Sequence, residues 1–205
     1  MELLSPAGNI ESLKAAILSG ADAVYIGGTQ FSARRNAKNF TESELNDAIR
    51  LCHLYGVKLY VAVNILIKES ELKQAVSYTK HLINMGVDGI IIQDLGLLSL
   101  VRKQSDEIKI NASTQITAAS TDAVEFCKSI GADRVVLARE LSYTEIKSIK
   151  EKTDIELETF VHGALCMSWS GQCLLSSVIG GRSGNRGLCA QPCRLPYEAS
   201  GRGSR

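Results

Sequence analysis

Three short segments of one design recur along the chain: Gly20-Ala21-Asp22 before Ala23-Val24-Tyr25-Ile26, Gly86-Val87-Asp88 before Gly89-Ile90-Ile91-Ile92, and Gly131-Ala132-Asp133 before Arg134-Val135-Val136-Leu137. Each follows an amphipathic stretch. The glycine supplies the left-handed residue that ends a helix, and the β-branched run after it reads as a buried strand. Gly56-Val57-Lys58-Leu59-Tyr60-Val61 is a looser fourth copy. Repeated units of this kind alternate helix with parallel strand.

Reading outward from these anchors places strands near 2–4, 23–26, 58–63, 89–92, 108–111, 134–137 and 155–161. Helices fit near 9–19, 42–55, 70–85, 95–104, 119–130 and 142–151, the second opening on Thr41 and Glu44 at capping-box spacing. The strands start about 26 residues apart, a short repeat of the sort that closes into a barrel. The expected fold is therefore α/β: an incomplete TIM-type (β/α) barrel of about seven units over residues 1–161, a Cys/Gly-rich segment of the same domain over 162–197, and a tail over 198–205. An open doubly wound sheet is the alternative, but no G-x-G-x-x-G follows the first strand.

The 205 residues are 45% apolar and 22% charged, enough to bury a core and inconsistent with wholesale disorder. A net charge of +1 excludes the strongly basic field of a histone-like protein. The charge is uneven: from Thr159 onward five arginines face one glutamate. The start Met1-Glu2-Leu3-Leu4-Ser5-Pro6 has no signal-peptide character, and no apolar run approaches the length of a membrane helix. A cytoplasmic protein with no membrane contact is expected, and in its reducing compartment the clustered thiols among the six cysteines suggest metal or redox chemistry rather than a disulfide framework.

In a barrel the loops after the strands form the active face. Here they carry Ser5, Asn9, Gly27-Gly28 with Arg34 and Arg35 beyond, Asn64, Gln93-Asp94, Ser113-Thr114-Gln115, Arg139-Glu140 and His162. Each could be a cap or turn residue; together they outline a polar cavity. Cys166, Cys173, Cys189 and Cys193 follow within 28 residues, spaced C-x6-C-x15-C-x3-C amid glycines. Four thiolates in a flexible loop suit an iron-sulfur cluster or structural zinc, and the lack of a C-x2-C knuckle favours the cluster. Cys52 and Cys127, inside helices beside apolar residues, are expected to pack in the core. His53 and His81 are expected at the surface or its boundary. Trp169, the single tryptophan, could shield a cluster, stack on a base or anchor its loop, with anchoring the default.

The segment Glu158-Thr159-Phe160-Val161-His162-Gly163-Ala164-Leu165-Cys166, followed by Ser168-Trp169-Ser170-Gly171-Gln172-Cys173-Leu174-Leu175-Ser176, resembles the signature of peptidase family U32, the collagenase-like proteins. Leu4-Ser5-Pro6-Ala7-Gly8, Val135-Val136-Leu137-Ala138-Arg139-Glu140-Leu141 and Asn185-Arg186-Gly187 leading into Cys189-Ala190-Gln191-Pro192-Cys193-Arg194 extend the resemblance to about Tyr197. It implies an iron-sulfur hydroxylase working without molecular oxygen, with prephenate as oxygen donor, similar to the tRNA uridine hydroxylases that make 5-hydroxyuridine at the wobble position. The implied ligands of a [4Fe-4S] cluster, with zinc as the alternative, are Cys166, Cys173, Cys189 and Cys193. Trp169 and Gln172 stand where the family often has Tyr and Arg. Family members continue past Tyr197, so the chain reads as an N-terminal fragment.

On that reading Glu140, Glu158 and His162 are candidates for proton transfer. Arg34 or Arg35 with Arg139 would hold donor carboxylates, and Asn64 and Gln115 line the substrate cavity. Arg182 and Arg186, with Arg194, would meet RNA phosphates. The expected partners are tRNA, a small-molecule oxygen donor and an electron-donor protein. The alternatives are a U32-type peptidase pairing His162 with a loop thiol, and an inactive scaffold with a structural cysteine loop.

Overall fold

The computed structural model describes residues 1–33 and 39–198. Its centre is one sheet of seven parallel strands in sequential order: β1 Leu4–Pro6, β2 Ala23–Gly27, β3 Lys58–Val63, β4 Gly89–Ile92, β5 Lys109–Ala112, β6 Arg134–Val136 and β7 Glu156–Glu158. Six helices link them: α1 Ile10–Leu18, α2 Glu42–Leu54, α3 Glu69–Met85, α4 Leu95–Gln104, α5 Thr121–Ser129 and α6 Tyr143–Lys150. A doubly wound sheet reverses its strand order partway, and this one never does. The sheet is a curled half-barrel, as the repeat predicts.

The repeat has a second meaning that its glycines do not disclose. Gly20, Gly86 and Gly131 do take positive φ, at +89°, +91° and +111°. The aspartate two residues later then clamps the start of the preceding strand. Asp22, Asp88 and Asp133 accept the Leu3, Leu59 and Ile110 N–H groups at 2.7 Å each. Their own N–H groups donate back to the Leu3, Leu59 and Ile110 carbonyls at 2.9–3.0 Å. The three clamps join β1 to β2, β3 to β4 and β5 to β6, and satisfy backbone groups that water would otherwise have to reach.

Alternation along the strands divides the sheet into two faces. Val24, Ile26, Leu59, Val61, Ile90, Ile92, Ile110 and Val135 pack outward under the helices in the main core, with Cys52 and Cys127 among them. Burial pushes the Cys52 thiol up to about 11, as expected of a packing residue. The inner face carries Ala23, Tyr60 and Ile91 in a small second cluster. Below it lies a charged layer that sequence reading does not anticipate. Arg134, nearly buried, reaches Glu2 and Glu156 at 2.7 Å and Glu158 at 3.4 Å, with its guanidinium 5.7 Å from the Tyr60 ring centroid. Glu2 also binds Lys58 at 3.0 Å and accepts the Tyr60 hydroxyl at 3.1 Å. This network crosses the interior from residues before β1 to β6 and holds the curl.

Most element ends shift by a residue or two, and three differences have a clear local cause. The first strand runs 4–6 rather than 2–4, because Glu2 is drawn into the interior and the Leu3 backbone is taken by the Asp22 clamp. The last strand ends at Glu158 rather than 161: Leu137 donates to the Glu158 carbonyl, but the Ala138 N–H turns to Ala118, and the backbone ladder between β6 and β7 stops there. Within the expected cysteine loop lies a short helix, α7 Leu175–Gly180, stopped by left-handed Gly181.

Candidate functional site

The C-terminal ends of the strands form one rim, and the loops there are tied to one another by side chains. Asn64, just past β3, accepts the Ala33 N–H at 3.0 Å and so ties the loop that follows β2 to the one that follows β3. Ser113, just past β5, caps a 3₁₀ turn at Thr114–Ile116 through the Gln115 N–H. Gln93, just past β4, is buried with its carbonyl oxygen unpartnered, and Asn111 on β5 has neither amide atom partnered. Both fall on the inward alternation, so the wall beneath the rim is polar. Arg34 and Arg35 lie outside the described residues.

The cysteine segment is laid across this rim and fastened at one buried residue, Ser170. Its N–H donates to Glu140 Oε1 at 3.0 Å, its hydroxyl accepts from Arg139 Nε at 3.1 Å, and its carbonyl accepts the Thr117 hydroxyl at 2.5 Å. Gln172 adds a bond to Thr117, and Arg139 a further one to the Ala164 carbonyl with its guanidinium over the Phe160 ring. Gly171 packs against the Gln115 backbone so closely that a Cβ would fall 2.3 Å from the Gln115 carbonyl oxygen. Thus Gln115, Arg139 and Glu140, three of the residues singled out in sequence, do converge, and what they hold is the loop between Cys166 and Cys173.

A second fastening holds the far part of the segment. Arg186 pairs with Glu71 near the start of α3 through two bonds of 2.6 and 2.8 Å, and donates to the Leu66 carbonyl at 2.7 Å. Those bonds hold Glu71 at about 2. Leu66 N–H returns to the Asn185 carbonyl, and Gly187 lies against the backbone of Ser32 and Ala33. Arg186, expected to face substrate, is here occupied by the barrel. Ser170, Thr117 and Glu71 are not among the residues that sequence singles out, since contacts across such sequence distances leave no periodic signal.

The four cysteines are exposed or half-exposed thiols. Among the described residues no three His, Cys, Asp or Glu side chains are grouped to hold a metal ion. The backbone nonetheless draws the cysteines together in pairs. Cys173 O and Cys189 Cβ both lie within 4 Å of where a Cβ on Gly184 would be, and Arg194, beside Cys193, donates to the carbonyl of Leu165, beside Cys166, at 2.6 Å. The Cys189 sulfur accepts the Gln191 N–H at 3.4 Å.

The remaining candidates are dispersed. Glu158 points back into the interior toward Arg134; burial raises its carboxyl above the ordinary value, and the arginine offsets this only in part. His162 is exposed on the loop after β7, and among the described residues no cysteine sulfur is hydrogen-bonded to it. Arg182 donates to the Leu188 carbonyl within the segment. His53 and His81 pair with Asp88 and Glu42 on helix surfaces. No helix among the described residues is long and apolar enough to cross a membrane.

Residues 8–204 match the family model described as Peptidase family U32. The chain is 44% identical over 197 residues to tRNA hydroxylation protein P1 of Bacillus subtilis, covering 96% of this chain and 47% of that protein. It is 43% identical to the 23S rRNA 5-hydroxycytidine C2501 synthase of Escherichia coli, covering 96% of this chain and 30% of that one. The chain therefore spans about half the length of these relatives or less. Among solved structures, the U32 peptidase Mk0906 superposes with a TM-score of 0.68 at 15% identity, covering 78% of this chain and 68% of that one, a likeness of fold.

Proposed function

Because this chain belongs to peptidase family U32, we propose that it hydroxylates a base of RNA, namely the wobble uridine of tRNA to 5-hydroxyuridine, with a [4Fe-4S] cluster and with prephenate as oxygen donor. The observation that carries the reading is the fastening of the Cys166–Cys173 loop over the rim through Ser170, which sets a soft-ligand segment at the mouth of the half-barrel. The names of relatives at 43–44% identity support RNA hydroxylation as the reaction class.

Cys166, Cys173, Cys189 and Cys193 would hold the cluster, which when bound supplies an electron-transfer centre. A soft thiolate set in a glycine-rich segment is the donor chemistry such a cluster takes, and ligands of this kind commonly converge on loading. Arg139 and Arg182 face no carboxylate within ion-pair distance among the described residues, so the charge of Arg139 is available to the carboxylates of an oxygen donor and that of Arg182 to RNA phosphates. Glu140 orients Ser170 and is a carboxylate at the rim, and His162 is exposed on the loop after β7; both remain the candidates for proton transfer. A peptidase would need a nucleophile with its base, and among the described residues no thiol pairs with His162.

The test is iron and acid-labile sulfide content after anaerobic purification, for the wild type, Cys166→Ser and Cys173→Ser, followed by nucleoside analysis of tRNA from cells with and without the gene. About four irons per chain, lost in both variants, together with 5-hydroxyuridine lost on deletion, is the expected result. Stoichiometric zinc, or unchanged tRNA, overturns it.

A further inference from the structure

Sequence assigns Trp169 to anchoring its loop, yet the residue is 52% exposed while the next one, Ser170, is 1% exposed. The backbone on which the indole stands is among the most constrained on the rim. Ser170 is bonded through its N–H, hydroxyl and carbonyl to three different barrel residues. Gly171 is locked at φ +78° against Gln115, and the Trp169 carbonyl closes a turn by accepting the Gln172 N–H at 3.0 Å. An anchor buries its ring, whereas here the anchoring is done by Ser170 and the ring is presented to solvent, flanked in the chain by Cys166 and Cys173.

The surroundings are suited to a base rather than to an apolar protein face. Residues 159–197 contain three arginines and no acidic residue. Arg182 and Arg194 donate only to backbone carbonyls, and Arg139 to a hydroxyl and a carbonyl, so among the described residues their positive charge is not cancelled by ion pairs. A second half-exposed aromatic, Phe160, already has the Arg139 guanidinium over its ring. Exposed aromatics on a rigid backbone amid uncancelled arginines are what holds a splayed-out base of a single-stranded RNA loop, with the ring taking the base and the cations the phosphates.

We infer that Trp169 is the stacking residue that positions the flipped target base over the cysteine loop. The inference rests on the RNA reading above. The chain's only tryptophan makes the indole its own reporter. The experiment titrates an unmodified anticodon stem-loop into the full chain, following intrinsic emission and, separately, the anisotropy of end-labelled RNA; a fully paired, blunt-ended duplex is the control. Stem-loop binding with quenched emission, affinity about 10-fold weaker for Trp169→Ala and largely kept by Trp169→Phe, with both variants folded by circular dichroism, is the expected result. Equal affinity of Trp169→Ala and wild type, with no emission change, overturns the inference and leaves the RNA reading standing. No binding of either RNA overturns both. Emission already blue-shifted and shielded from acrylamide without RNA shows that protein covers the indole, and also overturns it.

Discussion

Gly171 shows how much of the site turns on single backbone positions. Its φ of +78° is one that L side chains seldom adopt, and an added Cβ would meet a backbone oxygen that cannot swing aside. Gly171→Ala should therefore lift the loop from Gln115, at a cost of about 1–3 kcal/mol. The loss should be local, with the melting temperature of the barrel nearly unchanged and proteolytic cleavage between Cys166 and Cys173 accelerated. Wild-type cleavage rates in the variant would show that the loop is held by other means. The sequence contains the glycine but not its reason, since the oxygen it must avoid belongs to Gln115, in a different βα loop. The same holds for Trp169: as a lone large apolar residue it suggests anchoring, and only the burial of its neighbour Ser170 reassigns that task.

At the level of elements, what is legible in the sequence is what is local. The glycine-terminated helices, the continuous apolar strands and the Thr41–Glu44 capping box all depend on residues within one turn or one strand, and all appear where the pattern puts them. The attachment of the cysteine segment is not legible, because Glu71 and Arg186 stand 115 residues apart and either alone reads as a surface charge. Arg186 instead supplies a clamp between the start of α3 and the turn before Cys189. Glu71→Gln removes the charge that organises the fork, and Arg186→Lys its two-pronged geometry. Either should release the 182–197 half of the segment, raising the alkylation rate of Cys189 and Cys193 severalfold while leaving Cys166 unaffected. Reactivity of Cys189 and Cys193 unchanged from wild type in these variants would mean that the ion pair holds nothing in place. Loss of RNA affinity without any change in thiol reactivity would return Arg186 to the phosphate-binding role expected from sequence.

For the molecule as a whole, the inward charged layer is what makes pH a probe of the curl. Burial alone would raise the Glu2 carboxyl, but hydrogen bonds from Arg134 and Lys58 and the nearby guanidinium charge bring it down to about 2. A carboxylate lowered on folding contributes stability that is present above its unfolded value near 4.5 and is lost as pH falls toward 2. Glu158 has the opposite sign. Its raised value favours the protonated form in the fold, so it opposes folding once pH climbs past the ordinary carboxylate range. Glu2→Gln should consequently lower stability at neutral pH by on the order of 2 kcal/mol, and the gap to wild type should narrow between about pH 4.5 and 2, where the unfolded wild-type chain takes up the proton that the folded one refuses. Urea unfolding of both proteins at several pH values measures this directly. A gap that stays constant with pH would assign the loss to packing around the substituted side chain rather than to the charge. Arg134→Met provides the complementary case: it leaves Glu158 with no cation and Glu2 and Glu156 with only the more exposed Lys58 and Lys109, and should cost about 3–5 kcal/mol at neutral pH. Much of that loss should be recovered by adding Glu2→Gln, because the two residues bridge distant strands of the same curled sheet and a neutral amide in place of the Glu2 carboxylate removes part of the repulsion the first change exposes.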